Sequence, residues 1–272
     1  NRNQTFHSVA KVTIWAKEIG YTSISHDIIY GLPFQTLESI KDTVEKTKSL
    51  NPDRLAFYSY AHVPWIKGNG QRGFNDEDVP KDDFKRELYE LGKKLLLEND
   101  FIEIGMDHFS TSEDSLYQSY IKNDLNRNFM GYTSSKTDVL VGLGVSSISD
   151  SWNSFAQNSK SFKEYEDLIN QGEIPVIKGH ILNDEDLIIR KVILELMCQF
   201  KTNLNFIPHR YFEEFKIVEC LEEFILDGLI EIKDTQLVIL EAGKPFVRNI
   251  CMLFDFKLKR NKPNMQLFSM TI

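Results

Sequence analysis

Cysteine is scarce in this chain: the 272 residues include three, at positions 198, 220 and 251. An odd number of widely spaced cysteines does not make a disulfide framework, and the chain has no CxxC pair or Cys/His cluster that would indicate a metal site. Each cysteine lies in an apolar helical pattern. We therefore predict buried thiols of a cytosolic protein and no metal site on this chain.

The chain also lacks long apolar runs, a signal peptide and a net positive charge. No run of 18 apolar residues is present, so no membrane span is predicted. The net charge of −8 argues against a surface that binds nucleic acid. The chain begins at Asn1 rather than Met, which suggests a piece of something longer.

Positive charge collects at the other end of the chain. Residues 241–272 hold six basic residues against Glu241 and Asp255: Lys244, Arg248, Lys257, Lys259, Arg260 and Lys262. This segment fits either contact with an anionic ligand or a solvated helix face.

Helical and extended patterns alternate in the first half. Helices are predicted over about 5–19, 37–49 and 81–99, and strands over 23–30, 54–60, 101–107 and 138–146. Short strands separated by helices are typical of βαβ units, so the sequence predicts an α/β fold with a parallel sheet. Polar segments with Gly or Pro follow these strands, where parallel folds place their sites, although turns need such residues too.

The pattern changes at about residue 183. Asn183 is predicted to cap a helix over 184–199, followed by a helix over 208–227, a hairpin over 229–240 and a helix over 242–260. This order is winged-helix-like. We favour a packing domain over a DNA-binding module because the second helix carries six acidic residues. The predicted domains are 1–150 and 183–272, joined by a connecting segment over 151–182.

Candidate site residues are few, and each gives a weak signal alone. The sequence contains no GxGxxG, P-loop, GxSxG or HExxH motif. Asp27 lies in an apolar strand, where a carboxylate is costly to bury unless something pairs with it. It suits ribose hydroxyls or an ammonium group, or it is held by backbone amides or an Arg. Asp107–His108, His62 and Arg2 are further candidates for acid/base work, ion pairs or anion binding.

Eight segments carry a resemblance together that none of them carries alone. In order, they are NRNQ (1–4), DIIYGLPFQT (27–36), LNPDRLAFYSYAHVP (50–64), IGMDHF (104–109), NRNFMGYTS (126–134), GLGVSSIS (142–149), FAQN (155–158) and RNICMLFD (248–255). The series resembles the oxygen-independent coproporphyrinogen III dehydrogenases of haem biosynthesis, which are radical S-adenosylmethionine enzymes. The family's CxxxCxxC motif is missing, so the ligands of its four-iron four-sulfur cluster are absent here. We interpret the chain as the C-terminal portion of such an enzyme.

The resemblance implies a fold and a set of cofactor contacts. Residues 1–150 would be the C-terminal half of an incomplete parallel β/α barrel, followed by the winged-helix-like domain with a basic tail. Two S-adenosylmethionine molecules would bind per active site. Arg2, Asp27 and Ala61 match contacts to the second molecule, and Ile148 matches an apolar contact to the first. No catalytic residue is carried over, because the cluster performs the hard step.

The resemblance also implies an activity. Two propionates of coproporphyrinogen III would be oxidatively decarboxylated to vinyl groups, giving protoporphyrinogen IX through a 5′-deoxyadenosyl radical. The substrate carries four carboxylates, so Arg248 and some basic residues between Lys257 and Lys262 are predicted to face its cavity. The electron donor is not indicated.

Further expectations follow for the setting of the protein. We expect a cytoplasmic protein that is monomeric at full length and has no nucleic-acid or membrane partner. We expect the 272 residues alone to be inactive and to self-associate through the unpaired edge of a truncated barrel.

Three alternatives stay open. A haem chaperone of the same superfamily is the nearest, although that branch lacks the GMDHF stretch present at 105–109. A winged-helix nucleic-acid module and a purely structural fragment are the others. The polar loop over 66–80 is either a lid or a solvated connector.

Overall fold

The chain forms two compact units. The computed structural model describes residues 4–63 and 73–261. Its described residues up to Ile121 make up the first unit, and those from Lys122 onward make up the second. The contacts thus divide the chain between residues 121 and 122. The assignment of residues 1–150 to one barrel domain stays a prediction. Arg2, Lys262 and residues 66–72 of the predicted loop over 66–80 lie outside the described residues.

The first unit is an α/β layer. Its described helices are α1 Phe6–Ile19, α2 Leu37–Ser49, α3 Asp82–Leu97 and α4 Ser115–Ile121, with a 3-10 turn at Asp76–Asp78. Its strands are β1 Ser25–Tyr30, β2 Arg54–Ser59, β3 Ile102–Gly105 and β4 His108–Ser110, in the sheet order β1-β2-β4-β3.

Strand direction in this sheet departs from the prediction in one place. β1 and β2 are parallel as expected, but β4 is antiparallel to both β2 and β3. The strand predicted over 101–107 is therefore one arm of a hairpin. The chain reverses at Met106, whose φ of 50° lies in the left-handed region, and periodicity alone does not reveal such a turn.

Helices α2 and α3 pack on one face of the sheet. Thr36 and Ser39 cap α2 reciprocally through side-chain and backbone hydrogen bonds, which fixes its start as predicted. The core joins both helices to alternate residues of β1 and β2. Its buried members are Ile28, Tyr30, Ile40, Val44, Leu55, Phe57, Leu88, Tyr89, Leu96, Phe101 and Phe109.

The second unit combines helices with small antiparallel sheets. Its described helices are α5 Phe162–Asn170, α6 Asp184–Gln199, α7 His209–Glu214, α8 Ile217–Leu226, α9 Val247–Met252 and α10 Phe256–Arg260, with 3-10 turns at Leu204–Phe206 and Glu241–Phe246. Its strands are β5 Asn126–Asn128, β6 Gly131–Thr133, β7 Val139–Leu140, β8 Ile148–Ser151, β9 Ser154–Asn158, β10 Val176–Ile181, β11 Lys201–Asn203, β12 Ile230–Lys233 and β13 Gln236–Ile239. The sheet orders are β5-β6, β10-β9-β8-β7 and β11-β13-β12.

The strand predicted over 138–146 is wrong beyond its first residues. Only Val139–Leu140 is extended, and β7 pairs antiparallel with β8. A Cβ on Gly142 would lie 2.7 Å from the carbonyl oxygen of Ile148, and Gly144 has a φ of 100°. The glycines thus form a tight loop instead of a longer strand.

Two predicted helices are interrupted, whereas a third is confirmed. Lys216, with a φ of 50°, separates α7 from α8 inside the helix predicted over 208–227. The helix predicted over 242–260 is split into the 3-10 turn that contains Pro245, followed by α9 and α10. The helix over 184–199 begins at the predicted cap, Asn183, whose side chain accepts from the Asp186 N–H.

Among the described residues, no helix combines the length and apolar character that crossing a membrane requires.

Candidate functional site

The first sheet has a polar face opposite its core. Side chains alternate along β1, so Ile28 and Tyr30 are buried while Asp27 points the other way and is exposed. The premise that Asp27 is a buried acid is therefore wrong. The strand tolerates this carboxylate because it lies on the uncovered face, where water solvates it.

A row of three residues crosses this polar face. Asp27 lies opposite Ala56 on β2, and Ala56 lies opposite His108 on β4. Neighbouring strands are about 4.8 Å apart, which places Asp27 and His108 roughly 10 Å apart across the small Ala56. The imidazole Nδ1 of His108 lies 2.9 Å from an oxygen of Asp107. Two separate sequence candidates thus share one face of the sheet.

The turn after β1 is held by Gln35. Its side-chain oxygen accepts from the N–H groups of Gly31 and Leu32 at 2.5 and 3.2 Å, and its amide donates to the Ile29 carbonyl at 3.0 Å. One side chain therefore fixes the carboxyl end of β1. The sequence pattern did not single out Gln35, although its place four residues after Gly31 is a recognisable signal for such a turn.

His62 and Ala61 follow the end of β2. Ala61 is exposed, which leaves its backbone approachable. The Nε2 of His62 lies 2.8 Å from an oxygen of Asp76, and its ring contacts those of Tyr60 and Phe74. Its Nδ1 is buried and has no hydrogen-bond partner among the described residues. A carboxylate thus orients the imidazole.

Ile148 belongs to the second unit, where it is half-buried and pairs with Gln157. The preceding glycine loop is held by the buried Asn158, whose side-chain amide donates to the carbonyls of Gly142 and Gly144. Asn158 is the last residue of the FAQN segment, and these contacts show that it supports the glycine loop.

The basic residues near the C-terminus are engaged in structural ion pairs. Lys257 Nζ lies 2.6 Å from Asp186, which is buried at the start of α6. Arg260 contacts Glu185 at 2.7 Å and Glu214 at 2.9 Å. These charges fasten α10 to α6 and α7, and the prediction that some of the basic residues between Lys257 and Lys262 face a substrate cavity stays a prediction. Arg248 is exposed, and its predicted role stays a prediction.

These ion pairs shift the acids involved. Burial alone raises the pKa of Asp186, but hydrogen bonds from Lys257, the Asn183 backbone and His180 together hold it below its usual value. The hydrogen bond from Arg260 holds the pKa of Glu185 below its usual value as well.

The three cysteines do not form a cluster site. Cys198 and Cys251 are buried as predicted, and burial raises their pKa values to about 11 and about 12. Cys220 is half-buried. Iron–sulfur clusters are held by thiolates, and the raised pKa values of Cys198 and Cys251 disfavour that form. No group of three His, Cys, Asp or Glu side chains among the described residues is arranged to hold a metal ion.

Comparisons with known proteins give a consistent result. No family model matches the chain. Relatives named oxygen-independent coproporphyrinogen III oxidase are 34% identical in Synechocystis sp. and 36% identical in Escherichia coli, each over the whole of this chain and 60% of the relative. The Helicobacter pylori relative of the same name is 35% identical over 95% of the chain and 58% of its own length.

A solved structure agrees with the sequence relatives. Coproporphyrinogen III oxidase (HemN) from Escherichia coli, described as a radical SAM enzyme, matches with a TM-score of 0.85 and 35% identity. The match covers 95% of this chain and 60% of that one. The chain spans about three fifths of the length of the curated relatives it matches, at 60% of the first two. The α/β fold of radical SAM type is confirmed, and the chain is similar over its whole length to oxygen-independent coproporphyrinogen III oxidases.

Proposed function

We propose that this chain takes part in the oxidative decarboxylation of two propionates of coproporphyrinogen III, which gives protoporphyrinogen IX in haem biosynthesis. The observation that carries the proposal is the 36% identity over the whole chain to the Escherichia coli oxidase, together with a TM-score of 0.85. This overall similarity supports comparable backbone positions for the residues of the candidate face.

The residues of the first unit suit S-adenosylmethionine. An exposed Asp27 carboxylate can accept from ribose hydroxyls or pair with an ammonium group. The small, exposed Ala61 lets a nucleoside approach the backbone. The proposal includes contacts to two S-adenosylmethionine molecules. The second molecule would be contacted by Arg2, Asp27 and Ala61, and the first by Ile148. When bound with a reduced cluster, S-adenosylmethionine supplies the radical that takes a hydrogen from the substrate.

The described residues do not fit the four-iron four-sulfur cluster, because no three His, Cys, Asp or Glu side chains among them are arranged to hold a metal ion, and burial raises the pKa values of Cys198 and Cys251. We expect the 272 residues alone to show no turnover. Their part is to position ligands. The proposal also includes coproporphyrinogen III as the substrate and an electron donor that is not identified. It further includes a cytoplasmic location and a monomeric full-length protein.

A segment exchange tests the function directly. We would replace the matching stretch of the Escherichia coli oxidase by this chain and assay protoporphyrinogen IX formation without oxygen. We expect turnover from the exchanged enzyme. A protein that folds, carries its cluster and cleaves S-adenosylmethionine, yet leaves coproporphyrinogen III unchanged, would contradict the proposed substrate.

The same protein allows the haem chaperone to be tested. Haem added to the exchanged enzyme should produce no stable change in the haem absorbance band if the oxidase assignment is right. Stoichiometric haem binding with a shifted band and no decarboxylation would favour the chaperone instead.

A further inference from the structure

Lys85 reaches from α3 to the carboxyl ends of β1 and β2. Its Nζ lies 3.5 Å from the carbonyl oxygen of Tyr60, just after β2. Its methylene chain passes over Gly31, where a Cβ would lie 3.1 Å from the Cε of Lys85. Gly31 also has a φ of 79°, so a larger residue there would be strained and would press on this side chain.

The Lys85 ammonium lacks an ion-pair partner among the described residues. None of the ion pairs among the described residues includes it, and the segments outside those residues contain no Asp or Glu. Other cations of the same helix are paired: Arg86 with Glu90, Lys93 with Glu103 and Lys94 with Glu98. Lys85 is half-buried, and this burial lowers its pKa. A half-buried cation without an anion favours binding one.

The surroundings of Lys85 are those of a ligand rim. The carboxyl ends of parallel strands are where α/β sheets bind ligands. Tyr60, whose carbonyl faces the Lys85 ammonium, also contacts the ring of His62. The buried Nδ1 of His62 has no partner among the described residues. Among the described residues, an ammonium without an ion-pair partner and a ring nitrogen without a hydrogen-bond partner therefore flank Tyr60 at the end of β2.

We propose that Lys85 binds a carboxylate of a ligand held at the carboxyl ends of β1 and β2. The inference rests on the proposed function, which offers two carboxylate sources: the methionyl carboxylate of S-adenosylmethionine and the propionates of coproporphyrinogen III. A charge-assisted hydrogen bond from a half-buried ammonium contributes about 1.5–3 kcal/mol.

Matched ligands test the proposal. Binding to the segment-exchanged oxidase would be measured by calorimetry for S-adenosylmethionine and its decarboxylated form, and for coproporphyrin III and its tetraamide. Lys85→Met keeps the apolar stem and removes the charge, and Lys94→Met is the exposed control on the same helix. We expect Lys85→Met to weaken one carboxylate ligand about 10- to 100-fold and its uncharged partner hardly at all.

In one of the two ligand pairs, Lys85→Met should remove the difference in affinity between the carboxylate ligand and its uncharged partner. That pair identifies the carboxylate that Lys85 binds. Lys85→Arg should recover part of the affinity, since it restores the charge. Equal weakening of both members of each pair, or of neither, would overturn the role of Lys85 while the proposed function stands. If the unsubstituted protein binds neither S-adenosylmethionine nor coproporphyrin III, the proposed function fails and the inference fails with it.

Discussion

At the residue scale, Asp27 shows that side-chain alternation along a strand decides whether a charge is buried or exposed. Its strand neighbours are apolar, but strand alternation turns Asp27 to the face away from the core. A solvated charge on that face needs no partner for stability, and the role of Asp27 as a ligand contact stays a prediction.

Asp27→Asn should therefore separate binding from stability. We expect the free energy of unfolding of the isolated chain to change by less than about 0.5 kcal/mol, as for other exposed sites. The affinity of the segment-exchanged oxidase for S-adenosylmethionine should fall about tenfold, because one charge-assisted hydrogen bond is weakened. Asp167→Asn, exposed on α5, is the control. Unchanged affinity in Asp27→Asn would remove Asp27 from the site.

Gly92 is a residue whose role is packing. It lies in α3 directly against the ring of Phe57, and a Cβ there would overlap that ring. Helix propensity favours Gly92→Ala by about 1 kcal/mol, while overpacking costs about 1–3 kcal/mol. We expect net destabilisation in urea unfolding, with Lys94→Ala nearly neutral as a control. A more stable Gly92→Ala variant would show that the helix moves to make room.

At the scale of elements, local caps were predictable and tertiary breaks were not. The bounds of α2 and α6 follow from Thr36 and Asn183, whose hydrogen bonds involve only the next three residues. The breaks at Met106 and Lys216 depend on left-handed residues that no local pattern marks. Similarly, the motif identified Asp27 as a candidate. Its exposure and its place in one row with His108 could be seen only once the strand register was known.

The fastening of α10 to α6 should depend on pH. Asp186 and Glu185 have pKa values below their usual 3.8 and 4.5, so their contribution to stability is present above those values. It is lost as pH falls through the lower folded values, because protonation removes the ion pairs. Lys257→Met should lower stability by about 1 kcal/mol at neutral pH.

Urea unfolding of the isolated chain at neutral and strongly acidic pH measures this dependence. The difference between Lys257→Met and the unsubstituted chain should shrink in acid. Lys233→Met, which removes an exposed pair with Glu231, is the control and should have little effect at either pH. A Lys257→Met deficit that does not change with pH would indicate lost packing rather than lost charge.

At the scale of the whole molecule, the first sheet ends at β1. Among the described strands, β1 pairs only with β2, so its other edge is unpaired. Open edges attract further strands. We expect the isolated 272-residue chain to dimerise in sedimentation velocity as its concentration rises.

A charge beside that edge tests the association. Ile29→Lys places an ammonium on β1 and should shift the chain toward monomer, whereas Ile225→Lys on the exposed side of α8 should not. A monomer at all concentrations would contradict the prediction. Association that both variants weaken equally would locate it elsewhere.

The turn after β1 owes its shape to Gln35, an uncharged amide, while α10 is anchored by carboxylates. Acidification therefore acts unevenly on the chain. In strong acid, below the usual pKa values of Asp186 and Glu185, the second unit should begin to loosen at its C-terminal helix while the end of β1 keeps its geometry, without any substitution.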